Sequence, residues 1–212
     1  HKLLAAGLIR PAASPYAAPV LMVPKAGQPG QWRLCVDYRA INQKLVRDNF
    51  PLPHPADVFN ELAGHKFYSR LDLASGFWQI RLHEADEPKT AFCAPSVGQF
   101  AWRVLPMGLK VAPSVFARLM QKVLRPFLGR FCVTYLDDIG VYSDSWEDHL
   151  EHIRLVLQAL REHHLFAKPS KCAFFLTELD FLGHLVSAQG ISVDPAGILR
   201  SAGTTMDASH VP

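Results

Sequence analysis

The sequence predicts an α+β fold with a largely antiparallel sheet, and three observations indicate it. Runs rich in β-branched and aromatic residues alternate with helix-periodic segments, but without the regular strand–helix–strand order that is typical of a parallel sheet. Of the 212 residues, 49% are hydrophobic and 19% are charged, so the chain can bury a core. The length favours one domain, or one domain with a small appendage.

The charge balance permits a polyanionic partner without requiring one. Lys and Arg number 22 and Asp and Glu number 19, which gives a formal net charge of +3. No apolar run reaches the length of a membrane-spanning helix, so we expect no membrane partner. The apolar stretch at the N-terminus is short and is broken by Gly7 and Arg10. We therefore predict no signal peptide and an intracellular location.

The first third of the chain predicts a hairpin and a short helix. Residues 18–23 and 31–36 are strand-like, and the turn-forming residues 25–30 between them predict a flexible tip. Pro51, Pro53 and Pro55 mark an extended connector. A helix over residues 55–62 is expected to end at Gly64.

The middle of the chain predicts more strands and one amphipathic helix. Strand-like runs cover residues 66–73, 77–82, 90–93 and 99–105. Residues 113–127 carry apolar side chains at helical spacing, and residues 131–136 and 139–142 are two further β-rich runs.

A second helix is predicted from Ser145, which forms a weak capping box with Asp148, to about His164. Its predicted buried stripe consists of Trp146, Leu150, Ile153, Leu157 and Leu160. Residues 172–176 and 180–186 are interpreted as a last hairpin, and residues 194–212 as a frayed end.

The cysteines and histidines do not form a recognisable metal-binding pattern. Cysteines stand far apart at positions 35, 93, 132 and 172 among apolar neighbours, which favours buried free thiols over a zinc site. His149 and His152 share one face of the second helix, but no third ligand has suitable spacing. We interpret that face as solvated.

Three aspartates are the strongest candidates for chemistry. Asp137 and Asp138 lie between two apolar strands, where they are either a solvated turn or a pair that needs a cation. Asp72 lies at the end of the strand predicted over residues 66–73, next to Leu73, and by itself is more typical of a cap or turn. If that strand pairs beside the hairpin, the three carboxylates converge, and such hard oxygen ligands suit Mg²⁺. Two such ions, about 3.5–4 Å apart, stabilise the attacking and leaving oxygens of an in-line displacement.

Seven stretches make the chain resemble the reverse transcriptase domain of a gypsy-type LTR retrotransposon Pol polyprotein. They occur in family order over about residues 5–195, and they are PYAAPVLMVPKAG, QWRLCVDYRAIN, FYSRLDLASGFWQI, KTAF, LPMGLKVAPSVF, YLDD and LDFLGHLVSAQGI. The resemblance implies a fingers-and-palm polymerase fold with a mostly antiparallel palm sheet and a thumb that is largely absent. It implies fingers at about residues 1–64 and 83–110, palm at about 65–82 and 111–195, and a diverged tail at 196–212.

The resemblance also implies an activity, a cofactor and partners. The activity is DNA synthesis from dNTPs on an RNA or DNA template, by extension of a primer 3′-hydroxyl. The cofactor is Mg²⁺, with Mn²⁺ as an alternative ion, bound by Asp72, Asp137 and Asp138. In the family, Asp72 and Asp137 match the carboxylates that bridge both ions, and Asp138 is less directly involved. RNase H and integrase domains are normally fused to this domain in the polyprotein.

Five residues match the nucleotide-binding positions of the family. Lys25 and Arg33 match cations that bind the triphosphate in the family. Without the resemblance, Lys25 is interpreted as a solvated cation in a turn and Arg33 as one member of a surface ion pair. Leu73 matches a position where family members bring a backbone group to the triphosphate, and the resemblance places Met107 near the nucleotide. Phe77 matches the aromatic that excludes a ribose 2′-hydroxyl in the family, although such an aromatic by itself is more typical of a core.

Six residues match positions that contact template or primer. Asp37 and Arg39 match template-side positions but could equally form a local ion pair. The resemblance places Pro113 beneath the template, and without the resemblance it is only a helix-start signal. The remaining three form a turn that resembles the hairpin holding the primer end, with a simple strand bend as the alternative: Phe181, Leu182 and Gly183.

Two departures from the family pattern, together with the missing thumb and the diverged tail, support a second hypothesis. Thr134 and Gly140 replace usual apolar residues beside the paired aspartates. Glycine inside a strand costs roughly 0.5–1 kcal/mol, and here it is expected to remove packing beneath the turn. The alternative function is therefore a catalytically impaired retrotransposon relic, or a host-adopted nucleic-acid-binding protein.

Overall fold

A computed structural model of the chain describes residues 2–24 and 30–193, and these form an α+β fold, as predicted. Short 3₁₀ turns occupy Gly76–Gln79, Glu87–Thr90 and Pro169–Lys171. In chain order the helices and strands are α1 (Lys2–Ala5), β1 (Ile9–Pro11), β2 (Ala18–Pro24), β3 (Trp32–Val36), α2 (Arg39–Lys44), α3 (Pro55–Leu62), β4 (Phe67–Asp72), β5 (Phe92–Ala94), β6 (Gly98–Trp102), α4 (Ala112–Leu124), β7 (Cys132–Tyr135), β8 (Asp138–Ser143), α5 (Trp146–Glu162), β9 (Ala173–Leu176), β10 (Glu178–Phe181), β11 (His184–Ser187) and β12 (Gly190–Val193).

The first of two compact units consists of the described parts of His1–Pro51 and Ala74–Leu119. Its five-stranded sheet has the order β1-β6-β5-β2-β3, in which β2 runs antiparallel to β3 and parallel to β5. The predicted hairpin of β2 and β3 is thereby confirmed. Its core contains Tyr38, Phe92, Trp102 and Leu105, all buried.

The second unit consists of Leu52–Leu73 and the described part of Met120–Pro212. Its four-stranded sheet is antiparallel throughout, in the order β7-β8-β4-β9. Side chains alternate between the two faces of a strand. Tyr68 and Tyr142 pack with α3 on one face, whereas Ser69 and Ser143 contact His149 of α5 on the other.

The strand predicted over residues 77–82 is wrong. Residues Gly76–Gln79 form a 3₁₀ turn after Ser75, whose φ is 51°, and Trp78 donates a backbone hydrogen bond to Ser75. The aromatic residues that suggested a strand instead pack into the core of the first unit, where Phe77 contacts Phe116. Tertiary packing has overridden local propensity here.

The buried face of α5 also differs from the prediction. Ser145 caps the helix as expected, because its hydroxyl accepts a hydrogen bond from the Asp148 N–H. The buried residues are His149, Ile153, Val156 and Leu160, whereas the predicted Trp146, Leu150 and Leu157 are exposed. His149 was expected on a solvated face, but its two ring nitrogens contact the hydroxyls of Ser69 and Ser143 at 2.8 Å. Because both ring nitrogens have hydrogen-bond partners, the polar ring can be buried without an unsatisfied group.

The last predicted hairpin is wrong as well. Strand β9 pairs with β4, and β10 pairs with β11 in a separate three-stranded sheet. The predicted fray at residues 194–212 lies outside the described residues. Among the cysteines, which are free thiols, Cys132 is buried as expected but Cys93 is exposed. None of the described helices has the length and hydropathy needed to span a membrane.

Candidate active site

Three aspartates gather at one end of the antiparallel sheet of the second unit. Asp72 is the last residue of β4 and Asp138 is the first residue of β8, and the two are direct partners in the antiparallel ladder. Directly opposite residues project to the same face, with Cβ atoms roughly 4.5–5.5 Å apart. Asp137 lies in the turn that joins β7 to β8, and its carbonyl accepts a 3.4 Å hydrogen bond from the Leu73 N–H. The strand that carries Asp72 therefore pairs beside the hairpin of Asp137 and Asp138, which is the condition under which the sequence predicted that the three residues converge.

The turn that carries Asp137 has an unusual backbone. Tyr135 pairs with Asp138, so only Leu136 and Asp137 connect the two strands. Leu136 has a φ of 54°, in the left-handed region that hairpin turns of this length use and that residues other than glycine adopt at a cost. The tight turn holds Asp137 and Asp138 at the strand ends.

The electrostatics of the cluster show that the carboxylates interact. The pKa of Asp138 is raised above its ordinary value, first by burial and then by the negative charge of Asp137. Asp72 contributes in the same direction, and Arg70 and Lys171 oppose it. Packed carboxylates of this kind favour a bound cation.

Lys171 provides a positive charge that the sequence did not predict. Its Nζ lies 2.9 Å from Oδ2 of Asp72, whose side chain is only 16% exposed. The backbone N–H of Lys168 also donates to the Asp72 carbonyl, at 2.8 Å. Lys171 is 99 residues from Asp72 along the chain, so no local pattern could have indicated this contact.

The donor set fits a divalent ion of the Mg²⁺ type. Within residues 2–24 and 30–193, no three His, Cys, Asp or Glu side chains are arranged as a ready-made metal cage. The three aspartates instead offer hard carboxylate oxygens, from the ends of β4 and β8 and from the turn between β7 and β8. Mg²⁺ is typically bound in this way, because it keeps water and takes substrate phosphates.

The predicted nucleotide-binding residues are distributed over both units. Arg33 is exposed on β3 and forms no ion pair with another described residue. Phe77 and Met107 also lie in the first unit, with Phe77 half-buried 5.2 Å from the ring of Phe116 and Met107 exposed. Leu73 is buried in the second unit beside Asp137. Lys25 lies outside the described residues.

Asp37 and Arg39, predicted on the template side, form a local ion pair in the first unit. Nη2 of Arg39 lies 2.6 Å from Oδ2 of Asp37. This hydrogen bond holds the pKa of the Asp37 carboxyl below its ordinary value. The Arg39 side chain is 88% exposed, so it can still meet a phosphate. Both alternatives left open by the sequence are therefore compatible with the geometry. Pro113 is the second residue of α4, in the same unit.

A cavity of about 170 Å³ lies beside Asp37 in the first unit. Its walls include the apolar Pro19 and Ile41, and Tyr16, Lys44 and Lys89 also line it.

The predicted primer hairpin is a tight turn between β10 and β11. Phe181 pairs with His184, and Leu182 and Gly183 connect them with φ values of 51° and 77°. Two consecutive left-handed residues are typical of a two-residue hairpin turn. A Cβ added to Gly183 would meet no atom within 4 Å, so its backbone is accessible to a ligand, while Phe181 anchors the turn in the core.

The expected loss of packing at Gly140 is wrong. A Cβ built on Gly140 would lie 2.8 Å from Cγ2 of Val133 and 3.3 Å from Cδ2 of Leu62. The ring of Phe181 would be 3.6 Å away. Neighbouring side chains therefore occupy the space that a larger residue would need, and nothing is missing beneath the turn. Thr134, the other departure, pairs regularly with Ile139 in the ladder of β7 and β8.

The α+β fold and its acidic cluster fit a protein of the polymerase type. The reverse transcriptase (RNA-dependent DNA polymerase) family matches residues 23–186, and the chain belongs to this family. Its relatives identify it further as a reverse transcriptase domain of the kind found in LTR retrotransposon Pol polyproteins.

Two retrotransposon relatives from Drosophila melanogaster show this similarity. The chain is 40% identical to the Pol polyprotein of transposon opus over 197 residues, which cover 92% of this chain and 20% of that protein. It is 37% identical to the Pol polyprotein of transposon gypsy over 199 residues, covering 92% and 19%. The chain thus spans about a fifth of the length of these relatives.

Solved structures of foamy viral protease–reverse transcriptase share the fold. The structure in complex with an RNA/DNA hybrid gives a TM-score of 0.85 at 26% identity, covering 96% of this chain and 27% of that one. The structure with double-stranded DNA gives 0.84 at 26% identity, covering 99% and 42%. The polymerase fold predicted from the resemblance is confirmed.

Proposed function

We propose that this chain is an RNA- and DNA-directed DNA polymerase domain that extends a primer 3′-hydroxyl with dNTPs. The observation that carries the proposal is the direct pairing of Asp72 with Asp138, next to Asp137 in the turn. Membership of the reverse transcriptase family supports it.

Asp72, Asp137 and Asp138 would hold Mg²⁺, or Mn²⁺ as the alternative ion. When bound, the ions supply activation of the primer 3′-hydroxyl and neutralisation of the triphosphate charge. Asp72 and Asp137 orient the reacting groups, and Asp138, with its raised pKa, is the less directly involved carboxylate. Lys25 and Arg33 stabilise the negative charge that develops on the leaving pyrophosphate.

The remaining residues orient and select the nucleotide. The Leu73 backbone, held against Asp137, faces the triphosphate, and Met107 lies against the nucleotide. Phe77, supported by Phe116, excludes a ribose 2′-hydroxyl and so selects dNTPs.

Template and primer are the macromolecular partners in this proposal. Asp37, Arg39 and Pro113 contact the template, and the turn at Phe181, Leu182 and Gly183 holds the primer end. The exposed guanidinium of Arg39 adds affinity for any sequence, as a polymerase requires. Because relatives are polyproteins several times longer than the matched region, we further propose that RNase H and integrase domains accompany this one.

Primer extension on poly(rA)–oligo(dT) with Mg²⁺ and dTTP tests the proposal. Asp137→Asn keeps the shape of the turn but removes a negative charge, so we expect a loss of about a hundredfold or more in extension rate. Asp57→Asn is the matched control, because Asp57 is exposed in the first turn of α3. Undiminished extension by Asp137→Asn would contradict the metal-binding role.

The same assay separates the alternative of an impaired relic. Salt-sensitive binding of primer–template without extension by the unsubstituted chain would favour that alternative. The occupied space at Gly140 removes one of the four features that motivate it, and Thr134, the missing thumb and the diverged tail remain.

A further inference from the structure

Lys171 occupies a defined position at the end of the strand that carries Asp72. Its Nζ donates to Oδ2 of Asp72 at 2.9 Å. The Asp72 side chain is 16% exposed and the Lys171 side chain 56% exposed, so the ion pair spans the border between protein and solvent.

The backbone around Lys171 fixes this position. We name residues 167–172 the clasp. Ala167 forms a bridge with Leu73, and the Lys168 N–H donates to the Asp72 carbonyl at 2.8 Å. Within the clasp, the Lys171 N–H donates to the Lys168 carbonyl at 2.9 Å and closes a 3₁₀ turn. The clasp is therefore anchored to the backbone of Asp72 and Leu73, and this places the Lys171 ammonium beside the Asp72 carboxylate.

Lys171 and a divalent ion would bind the same carboxylate. Three aspartates meet here, and like charges on opposed strands repel each other unless a cation compensates them. The Lys171 ammonium supplies one such charge. A metal ion on Oδ2 of Asp72 competes with the ammonium for that oxygen and repels its positive charge, so binding of the ion favours release of Lys171.

We propose that Lys171 is a positioning residue that holds Asp72 until a divalent ion displaces it, and that metal binding releases its ammonium from Asp72. The inference rests on the proposed function, because it assigns Asp72 to the metal. It has two consequences. Removal of the Lys171 charge strengthens metal binding, and binding of the metal makes Lys171 more accessible to reagents.

Calorimetric titration of the chain with Mn²⁺, without nucleotide or nucleic acid, tests the first consequence. We expect Lys171→Met to lower the dissociation constant by about three- to fivefold, the scale of a half-exposed ion pair. Lys171→Arg keeps the charge and should stay close to the unsubstituted chain. Lys168→Met is the matched control, because Lys168 is exposed and binds Asp72 only through its backbone N–H.

The direction of the change distinguishes this role from a structural one. If Lys171 merely stabilised the fold around Asp72, its loss would weaken Mn²⁺ binding. Unchanged or weaker binding by Lys171→Met would therefore overturn the proposal, and so would tighter binding by Lys168→Met of the same size.

Acetylation of lysines by a water-soluble activated acetyl ester, which reacts with free amines, tests the second consequence on the unsubstituted chain. Mass spectrometry gives the labelling rates of Lys171 and Lys168 in the same peptide region, with and without saturating Mg²⁺. We expect the Lys171 rate to rise about threefold or more on Mg²⁺ addition, with the Lys168 rate constant. A Lys171 rate that Mg²⁺ leaves unchanged would overturn the proposal even if a substituted chain failed to fold.

The two readouts also separate this inference from the polymerase proposal. If Lys171→Met binds Mn²⁺ more tightly but the unsubstituted chain does not extend a primer, the role of Lys171 is supported and the polymerase function is contradicted. If the unsubstituted chain extends primers but Lys171→Met binds Mn²⁺ with unchanged affinity, the polymerase function is supported and the role of Lys171 is contradicted.

Discussion

Asp72 and Asp138 are direct partners across strands β4 and β8, with both carboxylates on one face of the sheet. Opposed like charges on neighbouring strands destabilise a sheet. The acidic cluster therefore acts against the stability of the fold, and the surrounding cations Arg70 and Lys171 offset only part of this cost. Function and stability can be separated experimentally at these positions.

Asp138→Asn is expected to stabilise the metal-free protein at neutral pH. Burial, Asp137 and Asp72 raise the folded pKa of Asp138 above its ordinary value of 3.8. Its contribution to stability is thus fully present below pH 3.8 and is lost as the pH rises through the folded pKa. Urea unfolding at pH 7 in a chelator should show a higher free energy of unfolding for Asp138→Asn, with a smaller difference near pH 3.5.

The control for this prediction is Asp57→Asn, an exposed acidic position in the same unit. Addition of Mg²⁺ should narrow the gap between Asp138→Asn and the unsubstituted chain, because the ion stabilises the ionised cluster. A lower stability of Asp138→Asn at pH 7 would show that the carboxylate is not a net cost.

Gly140→Val is expected to destabilise the second unit by about 1–3 kcal/mol through overpacking. The first added carbon would meet Cγ2 of Val133 at 2.8 Å, and Leu62 and Phe181 close the remaining space. Val133→Ala removes the nearest atom, so the double variant should be more stable than the sum of the single effects predicts. Urea unfolding of the four proteins of the cycle measures this coupling. Strictly additive effects would mean that Val133 does not set the limit at Gly140.

His149 is expected to make stability fall at mildly acidic pH. Burial lowers its pKa to about 4 from an ordinary value of 6.5. The stability that follows from its neutral form is present above pH 6.5 and is lost as the pH falls through about 4. The groups that face it are the hydroxyls of Ser69 and Ser143 and the rings of Phe67 and Phe175, and His152 shares the Ser143 hydroxyl.

His149→Leu separates titration from packing. At pH 7.5 we expect a loss of about 1–3 kcal/mol, because two buried hydroxyls lose a partner. Between pH 6.5 and 4 its stability should fall less steeply than that of the unsubstituted chain, as measured by urea unfolding at several pH values. His152, whose pKa is also lowered by burial, accounts for a remaining slope. The exposed His163→Gln is the control, and identical slopes in all three proteins would contradict the role of His149.

The sequence predicted the elements whose signals are local. Alternating strands, Pro55 at the start of α3 and the Ser145 cap of α5 depend on neighbouring residues, and the structure confirms them. The convergence of Asp72 with Asp137 and Asp138 depends on which strands pair, and hydrophobic periodicity does not specify this. The family resemblance supplied the expected strand arrangement.

The sequence could not predict contacts that are created by distant partners. Hydrophobicity alone placed Leu150 in the core and His149 outside, because the hydroxyls of Ser69 and Ser143 are invisible to a helical pattern. For the same reason Gly140 suggested a defect rather than a tight fit. Lys171 had no local signal, since its partner is 99 residues away.

Phe77→Val tests the proposed selection of deoxyribonucleotides. Phe77 is half-buried and rests on Phe116, so the ring is supported where it is expected to meet the sugar. Replacement by valine should raise the incorporation of UTP relative to dTTP by about 10- to 100-fold, the scale of one steric contact in a binding pocket. The measurement is the ratio of kcat/KM for the two nucleotides on poly(rA)–oligo(dT).

The alternative for Phe77 is a purely packing role, and Phe100→Val is the matched control for it. Phe100 is likewise a partly buried aromatic of the same core, packed 6.0 Å from the ring of Phe92. Both substitutions should lower the free energy of unfolding, because each removes packed ring area. Only Phe77→Val should change the ratio of UTP to dTTP incorporation. An equal loss of activity towards both nucleotides in the two variants would identify Phe77 as a core residue without a role in sugar selection.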